Sequence, residues 1–363
     1  MKIRKENLCL ALVGIVIGTL FLEAGTRLWD NVDVFEIENY VNRDMDLIRR
    51  NTGAVDFDTG VGWRLRENTY SKGSGTTVGA QGVRMNENKI IQLRKGGILA
   101  VGDSFTAGSG VKDNETWPAR LEQMTGTPVI NGSAGGWAVD QMILFGERLI
   151  PIVKPKTLIV SILSQDSLRN SFKLYGGGYK PYFLIENGKA VLKGQPTPRV
   201  KQRPMELGWK RGIFGYSYLV HFLIKNLGLT QRWIDLGRSY IRVSSEKDGV
   251  KISCLLMERL VQLKEKLGIR IIVMVQYGGA ESEGSPPPWY GPPVLKCAKE
   301  HRLETIDTYP HLHRVSKQNR EKFVKLWFNE GGQLGHMTAE GNLFIANILH
   351  SALIKNNVPK LVQ

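Results

Sequence analysis

Between Gly97 and Ile354 the chain alternates short segments of strand length with longer amphipathic segments. The short segments, most of them apolar, lie at 97–102, 128–131, 157–163, 270–275 and 303–307, and helical patterns lie at about 115–125, 138–150, 251–267, 290–301 and 338–354. Strands that are apolar throughout and separated by helices belong to a parallel sheet that is covered on both faces. The pattern therefore predicts an α/β domain over residues 96–356, with a central parallel sheet between two layers of helices.

Residues 171–249 interrupt this alternation. The stretch Phe183–Leu192 predicts a hairpin around an Asn-Gly turn. An apolar helical segment follows at about 216–227, after a basic stretch that ends at Arg211. We interpret 171–249 as an insertion or cap on the main domain, and the basic residues from Lys173 to Arg211 as a solvated face rather than a groove for a polyanion.

The first 28 residues have the pattern of a membrane anchor. Lys2, Arg4 and Lys5 precede an uncharged run, Asn7–Leu22, which is shorter than the ~20 apolar residues of a full span and overlaps the range of signal peptides. Large or charged residues follow this run where signal cleavage needs small ones. We therefore favour an uncleaved anchor, with secretion after signal cleavage as the alternative. The preceding basic residues predict an N-terminus on the inside.

Residues 29–95 are polar and rich in turn signals, among them Asn51-Thr-Gly and Asp58-Thr-Gly. They predict irregular structure and short strands. We expect this segment to form a juxtamembrane extension that packs on the main domain.

The charge balance is strongly basic, with 49 Lys and Arg against 34 Asp and Glu, a formal net charge of +15. Such a surface favours anionic partners such as nucleic acid, phospholipid or acidic polysaccharide. No zinc-finger spacing and no RNA-binding aromatic signature accompany the charge, so we expect no nucleic-acid partner.

The three cysteines are Cys9, Cys254 and Cys297. Cys9 lies in the apolar N-terminal run, so the other two are the pair that can bond to each other. No cluster of Cys and His has metal-ligand spacing, and we expect no metal cofactor.

A glycine-flanked serine follows the first strand of the domain, in the sequence GILAVGDSFTAGSG of Gly97–Gly110. Ligands bind at the carboxyl ends of the strands in open α/β sheets. Ser104 could be presented there as a nucleophile and be activated by a base. Alternatively, Ser104 and Thr106 make only the hydrogen bonds of a turn.

Three further groups of residues are expected near the same edge of the sheet. Gly136 follows the second strand, and Gln165 and Asp166 follow the third. His336 lies just before the last helix. Four separate segments that converge on one edge support a catalytic site more strongly than any one motif.

With these residues in place, the sequence resembles the SGNH/GDSL hydrolase family of flavodoxin-like α/β esterases and acyl-transfer enzymes. Gly102-Asp-Ser-Phe-Thr-Ala-Gly108 resembles the first block of the family, Asn131-x-Ser-x-x-Gly136 the second, and His336 with Thr-Ala-Glu-Gly the last. The resemblance covers about 95–170 and 250–355.

The resemblance implies that Ser104 is the nucleophile and His336 its general base. It also implies an oxyanion hole formed by the backbone N–H groups of Ser104 and Gly136 and by the side chain of Gln165. The anchor, Gly62-Trp-Arg-Leu and Lys180-Pro-Tyr-Phe resemble membrane-anchored bacterial members of the family.

The sequence departs from the family pattern at two positions. Gln165 stands where the family has an Asn, and its amide is one methylene further from the backbone. Gln333 stands where the family has an Asp three residues before the histidine. A neutral amide can orient an imidazole but does not stabilise an imidazolium as a carboxylate does.

Two acidic residues are alternatives to Gln333 as the partner of the histidine: Asp307 at a strand end, and Glu330. We expect either one to be structural or solvated. Asp103 and Asp166 are expected to brace the loops of the site by local hydrogen bonds rather than to act as acids.

Together these features predict a single-pass protein of the bacterial inner membrane, with a hydrolase domain in the periplasm or outside the cell. The expected substrate carries an O-acyl ester, on an envelope or secreted carbohydrate, and no diffusible cofactor is expected. One alternative is an O-acyltransferase with the same site. Another is a non-catalytic glycan-binding protein in which Gln165 and Gln333 mark a decayed site.

Overall fold

A computed structural model describes residues 5–40, 55–176, 178–199, 208–229, 233 and 241–357. The chain divides into two compact units. The smaller comprises 1–53 and 201–238, and the larger comprises 54–200 and 239–363. The predicted turn at Asn51 and the middle of the basic stretch, 200–207, lie outside the described residues.

Thirteen helices are numbered here in chain order across the described residues. They are α1 Lys5–Trp29, α2 Ser104–Ala107, α3 Trp117–Thr125, α4 Val139–Val153, α5 Asp166–Arg169, α6 Gly208–Phe214, α7 Tyr218–Asn226, α8 Glu246–Leu267, α9 Gly279–Glu283, α10 Gly291–Glu300, α11 Tyr309–Gln318, α12 Arg320–Lys325 and α13 Ala339–Asn357.

Sixteen strands are numbered in the same way. They are β1 Val55–Asp58, β2 Gly62–Leu65, β3 Thr69–Ser71, β4 Thr76–Val78, β5 Ile98–Gly102, β6 Val129–Asn131, β7 Thr157–Leu163, β8 Phe172–Tyr175, β9 Gly178–Tyr179, β10 Tyr182–Glu186, β11 Lys189–Lys193, β12 Ile241–Arg242, β13 Arg270–Gln276, β14 Glu304–Asp307, β15 Trp327–Glu330 and β16 Gln333–Met337.

The larger unit is organised around a five-stranded sheet in the order β14-β13-β7-β5-β6, in which all neighbours are parallel. Counted along the chain this is the order 2-1-3-4-5 of flavodoxin-like folds. The strand order reverses between β5 and β7, and in open α/β sheets ligands bind at the carboxyl ends of the strands at such a point. The predicted α/β class is confirmed.

The two faces of the sheet are covered by separate apolar cores. Leu99, Val101 and their counterparts on β7 and β13 pack with α4, α8 and α10. Ile98 and Ala100 face the opposite side and pack with α3, α11 and α13. Side chains alternate along a strand, so a strand buried on both faces must be apolar at every position. Burial of each large side chain stabilises the fold by roughly 1.5–3 kcal/mol.

The insertion belongs partly to each unit. Strands β8 to β11 lie in the larger unit, where β10 and β11 form the predicted hairpin. Its turn residues Asn187 and Gly188 both have positive φ, 49° and 76°, as a type I′ turn requires. Helices α6 and α7 lie in the smaller unit.

A disulfide between Cys254 and Cys297 joins α8 to α10, with 5.3 Å between the two Cα atoms. In the smaller unit, the segment Leu10–Trp29 of α1 is long and apolar enough to cross a membrane. A signal sequence has the same length and composition, so α1 is an anchor or a signal by this criterion.

Candidate active site

Ser104 begins a short helix, α2, directly after β5, an inner strand of the sheet. The carboxylate of Asp103 accepts a hydrogen bond from the N–H of Phe105 at 2.9 Å and so caps α2. Gly102 is required at the end of the strand, because a Cβ there would lie 2.1 Å from Oγ1 of Thr106. This tight strand–helix turn places Ser104 at the carboxyl edge of the sheet, partly accessible to solvent.

His336 approaches Ser104 from the antiparallel hairpin of β15 and β16. Its Nε2 atom lies 3.0 Å from Oγ of Ser104. The ring of Phe105 packs against the imidazole, with 5.3 Å between ring centroids. The hairpin and α2 thus bring together two residues that are 232 positions apart in the chain.

Glu330 forms a hydrogen bond with the other nitrogen of the imidazole, Nδ1. Its Oε1 lies 2.8 Å from Nδ1 of His336 and accepts the backbone N–H of the same residue at 3.1 Å. With Nδ1–H donated to Glu330, Nε2 is left as the acceptor for the hydroxyl of Ser104. Partial burial raises the pKa of Glu330, but the hydrogen bonds and charge of His336 outweigh it and hold that pKa below its ordinary value. Glu330 is therefore a carboxylate at neutral pH.

Gly335 makes room for this contact. A Cβ at position 335 would lie 2.2 Å from Cδ and 2.4 Å from Cγ of Glu330. The side chain of Glu330 passes through the volume that any other residue at 335 would fill.

Of the three partners considered for the histidine, the structure places Glu330 against the imidazole, and not Gln333 or Asp307. Gln333 is exposed at the end of the hairpin and makes no hydrogen bond to His336. Residues three apart on a strand face opposite sides, so Gln333 and His336 diverge once this segment is a strand. The hydrogen bonds of the His336 ring go to Glu330 and Ser104, whereas the carboxylate of Asp307 accepts the N–H of Tyr309 at 3.0 Å. Burial raises the pKa of Asp307.

The Gly135-Gly136 turn lies against the serine. A Cβ at Gly135 would be 3.7 Å from Cβ of Ser104, and Gly136 has a φ of +76°. Among the described residues, no acceptor takes the backbone N–H of Ser104 or of Gly136. Their role as oxyanion donors stays a prediction. Trp63 fixes the turn by donating its indole N–H to the carbonyl of Gly135 at 2.9 Å.

Gln165 lies at the start of α5, after β7. Its side chain is exposed and makes no hydrogen bond to the described residues. Its role as an oxyanion donor stays a prediction.

A buried ionic cluster lies behind the nucleophile, and sequence reasoning missed its central residue, Arg169. Nη1 of Arg169 lies 2.5 Å from Oδ1 of Asp166 and 3.6 Å from Oδ2 of Asp103. Asp166 also accepts the N–H of Leu163 at 2.8 Å, and Asp103 lies 3.3 Å from Oγ of Ser104. Burial raises the pKa of both Asp103 and Asp166, against the opposing charge of Arg169. The three-residue spacing of Asp166 and Arg169 on a helical turn was the available signal.

Two aromatic side chains flank the glycine turn, and sequence reasoning missed these as well. Cζ2 of Trp63 and Cε1 of Tyr175 lie 3.8 and 3.9 Å from the position of a Cβ on Gly136. The ring of Trp63 also packs closely on Gly178, where a Cβ would be 3.0 Å away. Trp63 comes from the segment before the sheet and Tyr175 from the insertion, so both segments contribute to the surroundings of the serine.

A buried ion pair fixes the insertion strand that carries Tyr175. Nζ of Lys180 donates to Oδ2 of Asp140 at 2.6 Å and to the carbonyl of Phe172 at 3.2 Å. Both charged groups are fully buried. The described part of the chain holds no group of three His, Cys, Asp or Glu residues arranged to bind a metal ion.

No protein-family model and no curated protein matches the chain. Among similar solved structures, a lipase/acylhydrolase from Enterococcus faecalis is 13% identical, with a TM-score of 0.37 over 74% of this chain and 100% of its own. An acetylxylan esterase from Geobacillus stearothermophilus is 15% identical, with a TM-score of 0.38 over 71% and 94%. A protein described as lipolytic and of the G-D-S-L family, from Desulfitobacterium hafniense, is 14% identical, with a TM-score of 0.37 over 70% and 97%. These names fall in the class of enzyme that the sequence motifs resemble, and identities this low carry no conclusion about the activity of this chain.

Proposed function

We propose that this chain is a serine hydrolase that cleaves O-acyl esters. The observation that carries the proposal is the hydrogen-bonded chain from Glu330 through His336 to Ser104, with distances of 2.8 and 3.0 Å. A nucleophile, a base and a carboxylate that orients the base are the three parts of a catalytic triad, and Glu replaces Asp in several such enzymes. A complete triad also argues against a decayed, purely binding site.

In the proposed reaction, Oγ of Ser104 attacks the ester carbonyl carbon while Nε2 of His336 takes the hydroxyl proton. The imidazolium that forms is stabilised by the carboxylate of Glu330. The backbone N–H groups of Ser104 and Gly136 donate to the oxyanion, and each such donor is worth roughly 3–4 kcal/mol in the transition state.

The intermediate then collapses. The bond between the carbonyl carbon and the alcohol oxygen breaks, and His336 returns its proton to the departing alcohol. A water molecule attacks the acyl group on Ser104 with His336 again as base. The carboxylic acid leaves and the hydroxyl of Ser104 is restored.

The aromatic pair beside the glycine turn supports a carbohydrate as the alcohol component. Carbon atoms of the Trp63 and Tyr175 rings lie next to the expected oxyanion donors and add apolar aromatic surface there. A sugar ring has the matching character, with C–H groups on its faces and hydroxyl groups at its edge. The substrate class we propose is therefore an O-acylated glycan.

The disulfide supports an extracytoplasmic location. Disulfides persist in the periplasm and outside the cell and are rare in the reducing cytoplasm. The Cys254–Cys297 bond, the apolar helix α1 and the basic residues before it agree with a hydrolase unit outside the inner membrane.

The test is turnover of an aryl acetate and of acetylated oligosaccharides by the full chain in detergent. We expect release of acetate, with kcat lowered by roughly 10³-fold or more in Ser104→Ala. Ser109→Ala, five residues further along, is the matched control and should keep full activity. Equal turnover by the parent protein and Ser104→Ala would refute the proposal. Formation of an acetylated acceptor from an added glycan would instead assign the site to an acyltransferase.

A further inference from the structure

The two short helices of the insertion that belong to the smaller unit expose an unusual number of large apolar side chains. On α6, Trp209 is 69% exposed and Ile213 is 64% exposed. Leu223 on α7 and Leu227, the residue directly after α7, are also exposed. In each pair the residues are four positions apart, so they lie on one face of their helix. Clusters of this kind mark surfaces that contact a protein or a membrane.

The start of α7 is attached to α1. The carboxylate of Glu23 accepts hydrogen bonds from the hydroxyl of Ser217 at 2.7 Å and from the N–H groups of Tyr218 and Leu219 at 2.7 and 2.9 Å. The hydroxyl of Tyr218 donates to Asp30 at 2.6 Å. Glu23 thus caps the start of α7 and fixes it beside the carboxyl-terminal end of α1.

This attachment sets the depth of α7 relative to a bilayer. The uncharged run of α1 ends at Leu22, and Glu23 is the first charge after it. Arg27 pairs with Glu23 at 2.8 Å and donates to the carbonyls of Asp33 and Glu36. Charged groups at the end of an apolar span lie at the membrane–water interface. With α1 across a bilayer, α7, whose first residues bind Glu23, begins at the interface.

The charges on the two helices fit an anionic lipid surface. Lys210 on α6 and Lys225 on α7 are exposed, and Nζ of Lys210 lies 5.7 Å from the centroid of the Trp209 ring. Interfacial helices combine large apolar side chains with lysine and arginine in this way. The lysines can reach phosphate groups while the apolar side chains enter the headgroup–acyl boundary.

We propose that α6 and α7 form a second membrane contact, which lies on the surface of an anionic phospholipid leaflet beside the anchor α1. Trp209, Ile213 and Leu227 enter the boundary, and Lys210 and Lys225 contact lipid phosphates. This contact is independent of the chemistry at Ser104.

The test uses the full chain in nanodiscs that contain phosphatidylglycerol. Cys9→Ala removes the free thiol, and an environment-sensitive fluorophore is attached through Ile213→Cys. Val324→Cys, an exposed apolar position on α12 in the larger unit, is the matched control, and Leu12→Cys in α1 reports the anchor. Lipid-borne spin labels and aqueous iodide are the two quenchers, and turnover of an aryl acetate in the same nanodiscs reports the active site separately.

We expect the probes at 213 and 12 to be quenched several-fold more by spin-labelled lipid than the probe at 324, and several-fold less by iodide. Exchange of phosphatidylglycerol for phosphatidylcholine should reduce lipid quenching at 213 and not at 12. The proposal fails if the probe at 213 behaves like the one at 324. It also fails if the probe at 213 is shielded from both quenchers, as by a bound protein, or if α1 itself is outside the lipid.

Discussion

Glu330 reaches His336 through space that only a glycine at 335 leaves open. A carboxylate at Nδ1 fixes the tautomer in which Nε2 accepts the proton of Ser104, and it stabilises the imidazolium that follows. The arrangement assigns to Glu330 the role that the sequence pattern had placed at Gln333. Two substitutions separate these assignments.

Glu330→Gln should lower kcat by roughly 10²- to 10⁴-fold, because an amide orients the imidazole without stabilising its positive charge. Gln333→Ala should leave kcat unchanged, since Gln333 is exposed and does not touch the imidazole. The measurement is the initial rate on an aryl acetate for both variants. The reverse order of effects would return the role to Gln333.

Gly335→Ala should lower kcat about as much as Glu330→Gln, because the added methyl group displaces the Glu330 carboxylate from Nδ1. The backbone at 335 is not in the left-handed region, so the variant should unfold at nearly the parent denaturant concentration. The double variant Gly335→Ala/Glu330→Gln should lose little more than either single variant, since both remove the same contact. Additive losses would show that Gly335 acts in some other way.

The role of an individual residue was predictable where a sequence motif identifies it. It was less predictable where the role depends on packing in the folded chain. Ser104 and His336 follow from short sequence blocks, and the structure brings them within hydrogen-bond distance. Glu330 was considered only as an alternative, because spacing along the chain pointed to Gln333. Its contact depends on the register of a short hairpin, with Glu330 paired to Gln333 around Gly331-Gly332, which sequence spacing does not reveal.

At the scale of elements, the parallel sheet was predictable because burial on both faces forces uniformly apolar strands. The hairpin β15–β16 was not, because its strands are short and half exposed and carry polar residues such as Asn329 and Gln333. Helices α11 and α12 also escaped prediction. The strand that leads to Ser104 was therefore predictable, and the hairpin that carries His336 was not.

The turn at Gly136 offers a test at this scale. Gly136→Ala should cost about 1–2 kcal/mol of stability, because φ is +76° and an L-residue is strained there, and it should also lower kcat by shifting an oxyanion donor. Gly126→Ala is the matched control: its φ is +64°, with open space around the new methyl group, at the end of α3. For Gly126→Ala we expect the same loss of stability, measured by denaturant unfolding, and no loss of kcat. Equal activity in the two variants would remove Gly136 from the oxyanion hole.

The whole molecule combines a hydrolase-like unit with a second unit that contains the N-terminal helix. The sequence predicted the anchor pattern from charge and hydropathy, and it reduced the disulfide to one pair by elimination. It did not reveal that the insertion would divide between the two units, because that depends on contacts between residues far apart in the chain.

The redox state of the cysteines tests the proposed compartment. Alkylation of the chain as isolated from a bacterial host, before reduction, should modify Cys9 alone, and alkylation after reduction should modify all three cysteines. Intact-mass measurement counts the added groups. Three modified cysteines before reduction would indicate a reducing compartment and contradict an extracytoplasmic hydrolase.

The most direct test of the central claim is covalent labelling of the full chain with a fluorophosphonate, followed by mapping of the modified peptide by mass spectrometry. The triad predicts a single adduct on Ser104, strongly slowed in His336→Ala and in Glu330→Gln, and absent from Ser104→Ala. An unlabelled parent protein, or an adduct on any other residue, would contradict the claim that Ser104 is an activated nucleophile.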